Sequence, residues 1–224
     1  MKRAVIIVAG GSGSRMNSNK PKQFIEVAGK PVLIWTMMRF LKFDPEIRMV
    51  LVLPAANYTE GEGLVTRFGL KGDIVYTTGG ETRFHSVKNG LSFVGGYDLI
   101  AIHDGARPFV SLSTISQCFN SAEKYGGAVP ATEVQDSLRI ITEGGSLPVD
   151  RNAIRRVQTP QVFIGERILK AYNQEYRDVF TDDASVYETV YGPVVLEEGN
   201  RENIKITYPE DIELAALFLK QQDF

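Results

Sequence analysis

A glycine-rich turn followed by basic residues is the first part of the chain that could carry out chemistry. Residues 9–16 read Ala-Gly-Gly-Ser-Gly-Ser-Arg-Met and directly follow an apolar run at 4–8. Glycines allow backbone N–H groups to approach an anion closely, so this turn can form a nest for phosphate. Arg15, Lys20 and Lys22 could then surround a polyphosphate, although a solvated basic loop would have the same composition.

The two common glycine motifs for nucleotides do not fit this turn. A P-loop requires Gly-Lys-Ser or Gly-Lys-Thr after four spacer residues, and none follows here. The dinucleotide fingerprint, aligned on Gly11 and Gly13, requires Gly or Ala where Met16 stands. The turn is therefore neither a P-loop nor a dinucleotide-binding module.

Three further segments carry polar residues where a ligand could bind, since ligands of open parallel sheets lie beyond the carboxyl ends of the strands. Residues 77–86 follow one predicted strand and suit either contacts to a base edge or a helix cap. Asp104 follows another strand and could hold Mg²⁺ together with substrate phosphates, or cap the next segment. Lys205 lies between Ile204 and Ile206 in a short predicted strand, as either a functional or a solvated cation.

The composition excludes several classes of function. With 25 Lys+Arg against 27 Asp+Glu, the net charge of -2 gives no basic surface for duplex nucleic acid. One cysteine, Cys118, and two histidines, His85 and His103, are too few for a disulfide framework or a zinc site, and helical spacing predicts Cys118 as a core residue. No apolar run reaches the roughly 18 residues of a membrane span. The first apolar run ends too early for a signal peptide, so we expect a cytoplasmic protein.

The sequence does not supply a recognisable general base. No Ser/His/Asp or Cys/His arrangement can be assembled from it. A substrate phosphate is largely a dianion at pH 7, however, and can attack without losing a proton. Such a reaction needs cations around the phosphoryl centre, which Arg15, Lys22 and Lys205 with Mg²⁺ would supply.

Short β-branched runs alternate with amphipathic stretches along most of the chain. The predicted strands are 4–8, 49–53, 74–76, 99–103 and 127–130, and the predicted helices are 31–40, 83–93, 113–125 and 209–219. Strict alternation of this kind favours a mostly parallel sheet with helices on both faces. We therefore expect a three-layer, Rossmann-like α/β fold with a twisted sheet, formed by 1–224 as a single domain.

One segment, 133–158, departs from this alternation. Its apolar residues follow a period of two on either side of a turn at 143–146, which predicts a β-hairpin inserted into the domain. An isolated two-stranded hairpin is marginally stable in water, so this arm must pack on something. The residues leave open whether it packs on its own domain or on a second copy of the chain.

Several short blocks occur together in a fixed order. They are 9–16 with Pro21-Lys22-Gln23-Phe24, His103-Asp104-Gly105-Ala106-Arg107-Pro108-Phe109, Asp150-Arg151-Asn152, Gln158-Thr159-Pro160-Gln161, Thr181-Asp182-Asp183-Ala184-Ser185, and Glu198-Gly199-Asn200 through Lys205. The first block resembles the sugar-phosphate nucleotidyltransferases. From residue 4 to about 212, the full set resembles the 2-C-methyl-D-erythritol 4-phosphate cytidylyltransferase family.

The resemblance implies transfer of CMP from CTP to methylerythritol phosphate, with release of pyrophosphate, Mg²⁺ as cofactor and a homodimer formed through the arm. The residues matched to charge stabilisation and to positioning for attack are Arg15, Lys22, Arg151 and Lys205. Those matched to nucleotide binding are Ala9, Gly10, Gly11, Gly13, Gly80, Glu81, Ser86, Asp104 and Gly105, with Asp104 also a candidate metal ligand. Those matched to binding the second substrate are Arg107, Ser137, Arg151, Thr159, Thr181 and Lys205.

Two departures and two alternatives accompany this resemblance. Glu81 stands where many members carry Asp or Asn, and Ser137 stands where Thr is frequent. Ribitol-5-phosphate cytidylyltransferase shares the fold, but the residues of the fourth turn, 103–107, favour the methylerythritol enzyme. A non-catalytic nucleotide-binding protein is a further alternative, disfavoured because cations for both substrates are present.

Overall fold

The computed structural model describes residues 1–11 and 21–221. Its strands are β1 (Arg3–Val8), β2 (Glu26–Val27), β3 (Lys30–Pro31), β4 (Arg48–Leu53), β5 (Ile74–Thr78), β6 (Leu99–Asp104), β7 (Gly127–Glu133), β8 (Leu138–Thr142), β9 (Gly145–Val149), β10 (Arg155–Val157), β11 (Gln161–Ile164) and β12 (Val195–Glu198). Its helices are α1 (Val32–Phe43), α2 (Tyr58–Arg67), α3 (Arg83–Leu91), α4 (Leu112–Tyr125), α5 (Gly165–Ala171), α6 (Asp183–Tyr191) and α7 (Pro209–Gln221). Every strand and helix predicted above is present except the short strand predicted around Lys205, residues 203–207.

The central sheet has the strand order β10-β7-β11-β6-β1-β4-β5, with β12 added beside β7. The four strands β6, β1, β4 and β5 run parallel, while β11 is antiparallel to both β6 and β7. The mostly parallel α/β fold is thereby confirmed. Because parallel strands end at the same edge, the turns that follow β1, β5 and β6 meet there.

Two apolar cores cover the two faces of this sheet. Successive side chains of a strand point to opposite faces, so Val5 and Ile7 of β1 join the core under α1 and α4, and Ala4 and Ile6 join the core under α3. Cys118 lies fully buried in the first of these cores, which confirms its prediction as a packing residue. The sheet and its two helical layers are the three layers expected from the sequence.

A third, smaller core holds the C-terminal helix against the turn after β6. Ile206, Ala215 and Phe109 belong to it. The prediction of a strand at 203–207 is wrong, because Ile206 donates one backbone hydrogen bond to Ala106 instead of entering a ladder. The alternation of side chains is still present, with Ile206 buried and the Lys205 side chain 41% exposed.

The predicted arm is a separate two-stranded sheet. β8 and β9 pair across a turn at 143–144, and β10 then returns to pair with β7. Ile140, Ile141 and Leu147 of this hairpin are exposed, Ile141 to 80%. Within the described residues, no helix is both long and apolar enough to cross a membrane.

A buried histidine fixes the end of β6 and the turn that follows it. His103 Nε2 lies 3.0 Å from the carbonyl oxygen of Arg107, which can only accept, so Nε2 carries the proton. The Thr159 hydroxyl therefore donates to Nδ1 at 3.0 Å, and its oxygen accepts from the N–H of Asp104 at 3.1 Å. Burial lowers the pKa of His103 to about 4, so the ring is neutral near pH 7.

The free energy of unfolding should depend on pH because His103 is neutral in the folded protein. Between its ordinary pKa of about 6.5 and about 4, the unfolded chain binds a proton that the folded chain does not. The free energy of unfolding should therefore fall by about 1 kcal/mol per pH unit as the pH decreases through this range. Urea titrations should show this slope in the wild type and in His85→Gln, which keeps His103. A His103→Gln variant with the wild-type slope would contradict the assignment.

Candidate active site

A cleft of about 520 Å³ opens at the carboxyl edge of β1, β5 and β6. Most of the residues predicted to bind the nucleotide or to stabilise charge line it, namely Ala9, Gly10, Gly11, Lys22, Gly80, Glu81, Ser86, Asp104 and Lys205. Val8, Gln23, Thr82, Arg83, Ala106 and Thr207 complete the lining. Gly13 and Arg15 lie outside the described residues.

Two glycine-containing turns meet at the floor of the cleft. A Cβ on Gly10 would lie 3.3 Å from the Cα of Gly79, so neither position accommodates a side chain without displacing the other. The Ser86 hydroxyl accepts from the N–H of Gly80 at 3.0 Å and donates to the Thr82 carbonyl at 3.0 Å. Ser86 therefore fixes the second turn from beneath, at the point where α3 begins.

Asp104 is the central charge of the site. Its Oδ2 lies 3.0 Å from Lys205 Nζ and 3.2 Å from Arg107 Nε, and its Oδ1 lies 3.6 Å from Arg83 Nε. Burial opposes ionisation, but the three cations outweigh it and hold the pKa of this carboxyl well below its usual range. Asp104 is therefore a carboxylate at any physiological pH.

This arrangement does not fit Asp104 as a direct magnesium ligand. Both carboxylate oxygens already face cations, so a metal ion there would add a fourth positive centre. Within residues 1–11 and 21–221, no group of three or more His, Cys, Asp or Glu side chains could hold a metal ion. The geometry assigns Asp104 to orienting cations.

The backbone around Lys205 is held by side-chain hydrogen bonds that replace a strand ladder. Arg107 Nη1 donates to the Asn203 carbonyl at 2.9 Å, and Asn203 Nδ2 donates to the Thr159 carbonyl at 2.8 Å. Gln158 Nε2 donates to the Asn200 carbonyl at 2.9 Å. Arg107 and Thr159, predicted to bind substrate, thus lie behind Asp104 and support it rather than line the cleft.

Gly105, predicted to bind the nucleotide, also lies behind the lining. Its N–H donates to the Val8 carbonyl at 2.9 Å, and a Cβ there would come within 3.1 Å of the Ala9 Cβ. The turn after β6 is thereby packed directly against the start of the glycine-rich turn. This contact joins the two segments that form the base of the cleft.

Arg83 lines the cleft, and the sequence predicted a role there for its segment, 77–86, but none for its charge. Its Nη1 and Nη2 bind the two oxygens of Asp183 at 2.8 and 2.7 Å, and Tyr172 donates to the same carboxylate at 2.7 Å. Burial opposes the charge of Arg83, but Asp183 and Asp104 outweigh it and raise the pKa above its ordinary value. In the sequence, its position directly after the 77–82 turn indicated that Arg83 could lie in the site. Nothing in the sequence indicated its pairing with Asp183.

Three further predicted substrate-binding residues are not part of the lining of this cleft. Arg151 lies on the arm, where its Nη1 donates to the Gln135 carbonyl at 2.6 Å, and it lines a separate hollow of about 270 Å³. Ser137 is exposed on the same arm, and Thr181 is exposed just before Asp182, which caps α6. The structure therefore gathers Lys22 and Lys205 but not Arg151.

Comparison with known proteins matches nearly the whole chain. The family model described as "IspD: 2-C-methyl-D-erythritol 4-phosphate cytidylyltransferase" matches residues 3–221. Proteins of that name are 48% identical in Bacteroides thetaiotaomicron, over 98% of this chain and 100% of the relative, and 46% identical in Porphyromonas gingivalis, over 97% and 98%. The crystal structure of the 4-diphosphocytidyl-2C-methyl-D-erythritol synthase from Anaerococcus prevotii has a TM-score of 0.84 at 29% identity, covering 98% of this chain and 96% of that one. The chain belongs to the 2-C-methyl-D-erythritol 4-phosphate cytidylyltransferase family.

Proposed function

We propose that this protein is a cytoplasmic enzyme that transfers the cytidylyl group of CTP to 2-C-methyl-D-erythritol 4-phosphate. The products are 4-diphosphocytidyl-2-C-methyl-D-erythritol, an isoprenoid precursor, and pyrophosphate. The observation that carries the proposal is that Lys22, Lys205 and residues 9–11 of the glycine-rich turn line one cleft. Membership of the family, with full-length relatives named for this activity, supports it and favours this acceptor over ribitol phosphate.

The reaction needs no proton-accepting side chain. An oxygen of the acceptor phosphate dianion attacks the α-phosphorus of CTP, and the bond from that phosphorus to the β-bridging oxygen breaks. The electron pair leaves with pyrophosphate. Lys22 and Arg15 are assigned to stabilising charge on the transferring phosphate, with Arg15 outside the described residues. Lys205, oriented by Asp104 at 3.0 Å, is assigned to holding the attacking phosphate.

The glycine-rich turn and the turn before α3 are assigned to the nucleotide. Gly10 and Gly11 would present backbone to the triphosphate, and Gly80 with Ser86 would enclose the cytidine. Gly13, outside the described residues, is assigned to the triphosphate by the family resemblance. Glu81 also lines this part of the cleft. Mg²⁺ stays part of the proposal as a companion of the CTP phosphates, because it takes few protein carboxylates and keeps most of its waters.

The arm is proposed to complete the site of a second chain in a homodimer. Within one chain Arg151 lines a hollow on the arm, apart from the cleft that holds Lys22. Exposed Ile141 and Leu147 give the arm an apolar surface that another chain could cover. Arg151 and Ser137, both on the arm, are then assigned to binding methylerythritol phosphate across the interface. Thr181, outside the arm, is assigned to the same substrate.

The acceptor is tested by measuring pyrophosphate release with CTP and two polyol phosphates in parallel. Methylerythritol phosphate should be the preferred substrate over ribitol 5-phosphate. Preference for ribitol phosphate would support the alternative cytidylyltransferase, and CTP binding without turnover of either would support a non-catalytic protein.

Lys22→Ala should lower the rate of transfer at saturating substrates by at least about tenfold, the scale of lost stabilisation of charge in a transition state. Lys71→Ala, which removes an exposed lysine remote from the cleft, is the matched control and should retain the wild-type rate. Both rates are measured as pyrophosphate release. A normal rate for Lys22→Ala would contradict its assigned role.

Mixing two inactive variants tests the exchange of arms. In a mixed dimer of Lys22→Ala and Arg151→Ala, one cleft keeps its own Lys22 and receives an intact Arg151 from the other chain. Random exchange should then restore about a quarter of the wild-type activity. The control mixes Lys22→Ala with Lys205→Ala, which line the same cleft, and should restore none. No recovery in the first mixture would contradict the exchange.

A further inference from the structure

Gln23 is a buried polar residue. Neither the sequence motifs nor the proposed reaction gives it an individual role. It lies on a single 3-10 turn, Lys22–Phe24, and its side chain is only 2% exposed. Its Nε2 donates to the carbonyl oxygens of both Ala9 and Gly11, the second at 3.2 Å. One amide group therefore holds two carbonyls of the glycine-rich turn.

These two hydrogen bonds determine how the turn presents its backbone. In a trans peptide the carbonyl and the following N–H point in opposite directions. With the Ala9 carbonyl directed at Gln23, the N–H of Gly10 is directed away from it. The orientation of a donor that a phosphate nest requires thus depends on the side chain of Gln23.

Lys22 is the immediate neighbour of Gln23, and both line the cleft. The turn that carries the cation is thus fastened to the turn that carries the backbone donors. We propose that Gln23 is a positioning residue that sets the glycine-rich turn and Lys22 in register to receive the triphosphate of CTP. This inference rests on the proposed function, because it takes CTP as the ligand of the cleft.

An amide is the side chain that this arrangement requires, since only an NH₂ group offers two donors and no charge at one atom. Glutamate has the same shape, but its ionised carboxylate would face two carbonyl oxygens and repel them. When protonated, the same glutamic acid could donate one hydrogen bond. Gln23→Glu should therefore be defective in a way that low pH partly repairs, which a merely structural role would not produce.

The measurement is the dissociation constant of CTP by calorimetry between pH 6 and 8.5, as the ratio of variant to wild type. The ratio removes the titration of the CTP phosphates, which is common to both proteins. The charged residues that line the same cleft, Lys22, Glu81, Arg83, Asp104 and Lys205, are also present in both. For Gln23→Glu the ratio of CTP dissociation constants should be about tenfold or more at pH 8.5, on the scale of a lost buried hydrogen bond. The ratio should decrease as the pH is lowered towards 6, because burial favours the protonated acid. The KM for methylerythritol phosphate should change by less than about twofold, because the defect lies in the CTP region.

Gln174→Glu is the matched control. Gln174 Nε2 also donates to two carbonyls, those of Ala171 and Val186 at 2.8 and 3.1 Å, but outside the cleft lining. Its CTP ratio should stay near one at every pH.

Gln23→Met, which removes the donors without adding charge, keeps the inference testable if Gln23→Glu does not fold. It should weaken CTP binding by a factor that does not vary with pH. Wild-type affinity in Gln23→Met, or a flat ratio in folded Gln23→Glu, would overturn the inference. Because CTP binding is measured without acceptor, failure of the wild type to turn over methylerythritol phosphate would instead count against the proposed function.

Discussion

The buried carboxylate of Asp104 is the charge on which the arrangement of the cleft depends. Three cations from separate parts of the chain, Arg83, Arg107 and Lys205, converge on it. A carboxylate in this position would be unstable without them, and they would repel one another without it. Arg83 also pairs with Asp183. The three cations of this cluster therefore face two carboxylates, and one positive charge remains in excess. That excess, at the carboxyl edge of the sheet, is what an anionic substrate encounters.

The fold followed from the sequence where the apolar residues form a recognisable pattern: continuous runs in strands that are buried on both faces, and periodic spacing in the helices and the arm. That is why the five main strands, the long helices and the arm were predictable. The short elements were not, for reasons visible in their contacts. α2 contains Gly61 and Gly63, and Gly61 packs against Leu53 of β4, so its apolar spacing is interrupted by a tertiary contact. β11 enters the sheet antiparallel between β6 and β7, an order that no local pattern encodes.

The site was predictable to the extent that its residues follow strands. Lys22 and Asp104 were found because turns at strand ends are where ligands bind. Lys205 was assigned to a strand that is absent, because hydrogen bonds from Arg107 and Gln158, not a ladder, hold its segment. The pair of Arg83 and Asp183 joins residues 100 positions apart, a separation over which a single sequence carries no signal. Arg151 lines a hollow on the arm, not the cleft of its own chain, and the sequence did not indicate this separation.

The β8–β9 hairpin forms a sheet of its own, which affects the order in which the chain can fold. No residue of the β8–β9 hairpin belongs to the three apolar cores of the described chain, and its two strands hydrogen-bond only to one another in the sheet they form. The main sheet can therefore reach its final packing without the hairpin. If the arm packs on a second chain, as proposed above, that contact would form between chains whose own cores can already be complete, at a rate set by protein concentration. In such a dimer, folding of each chain and completion of the site would be separate events.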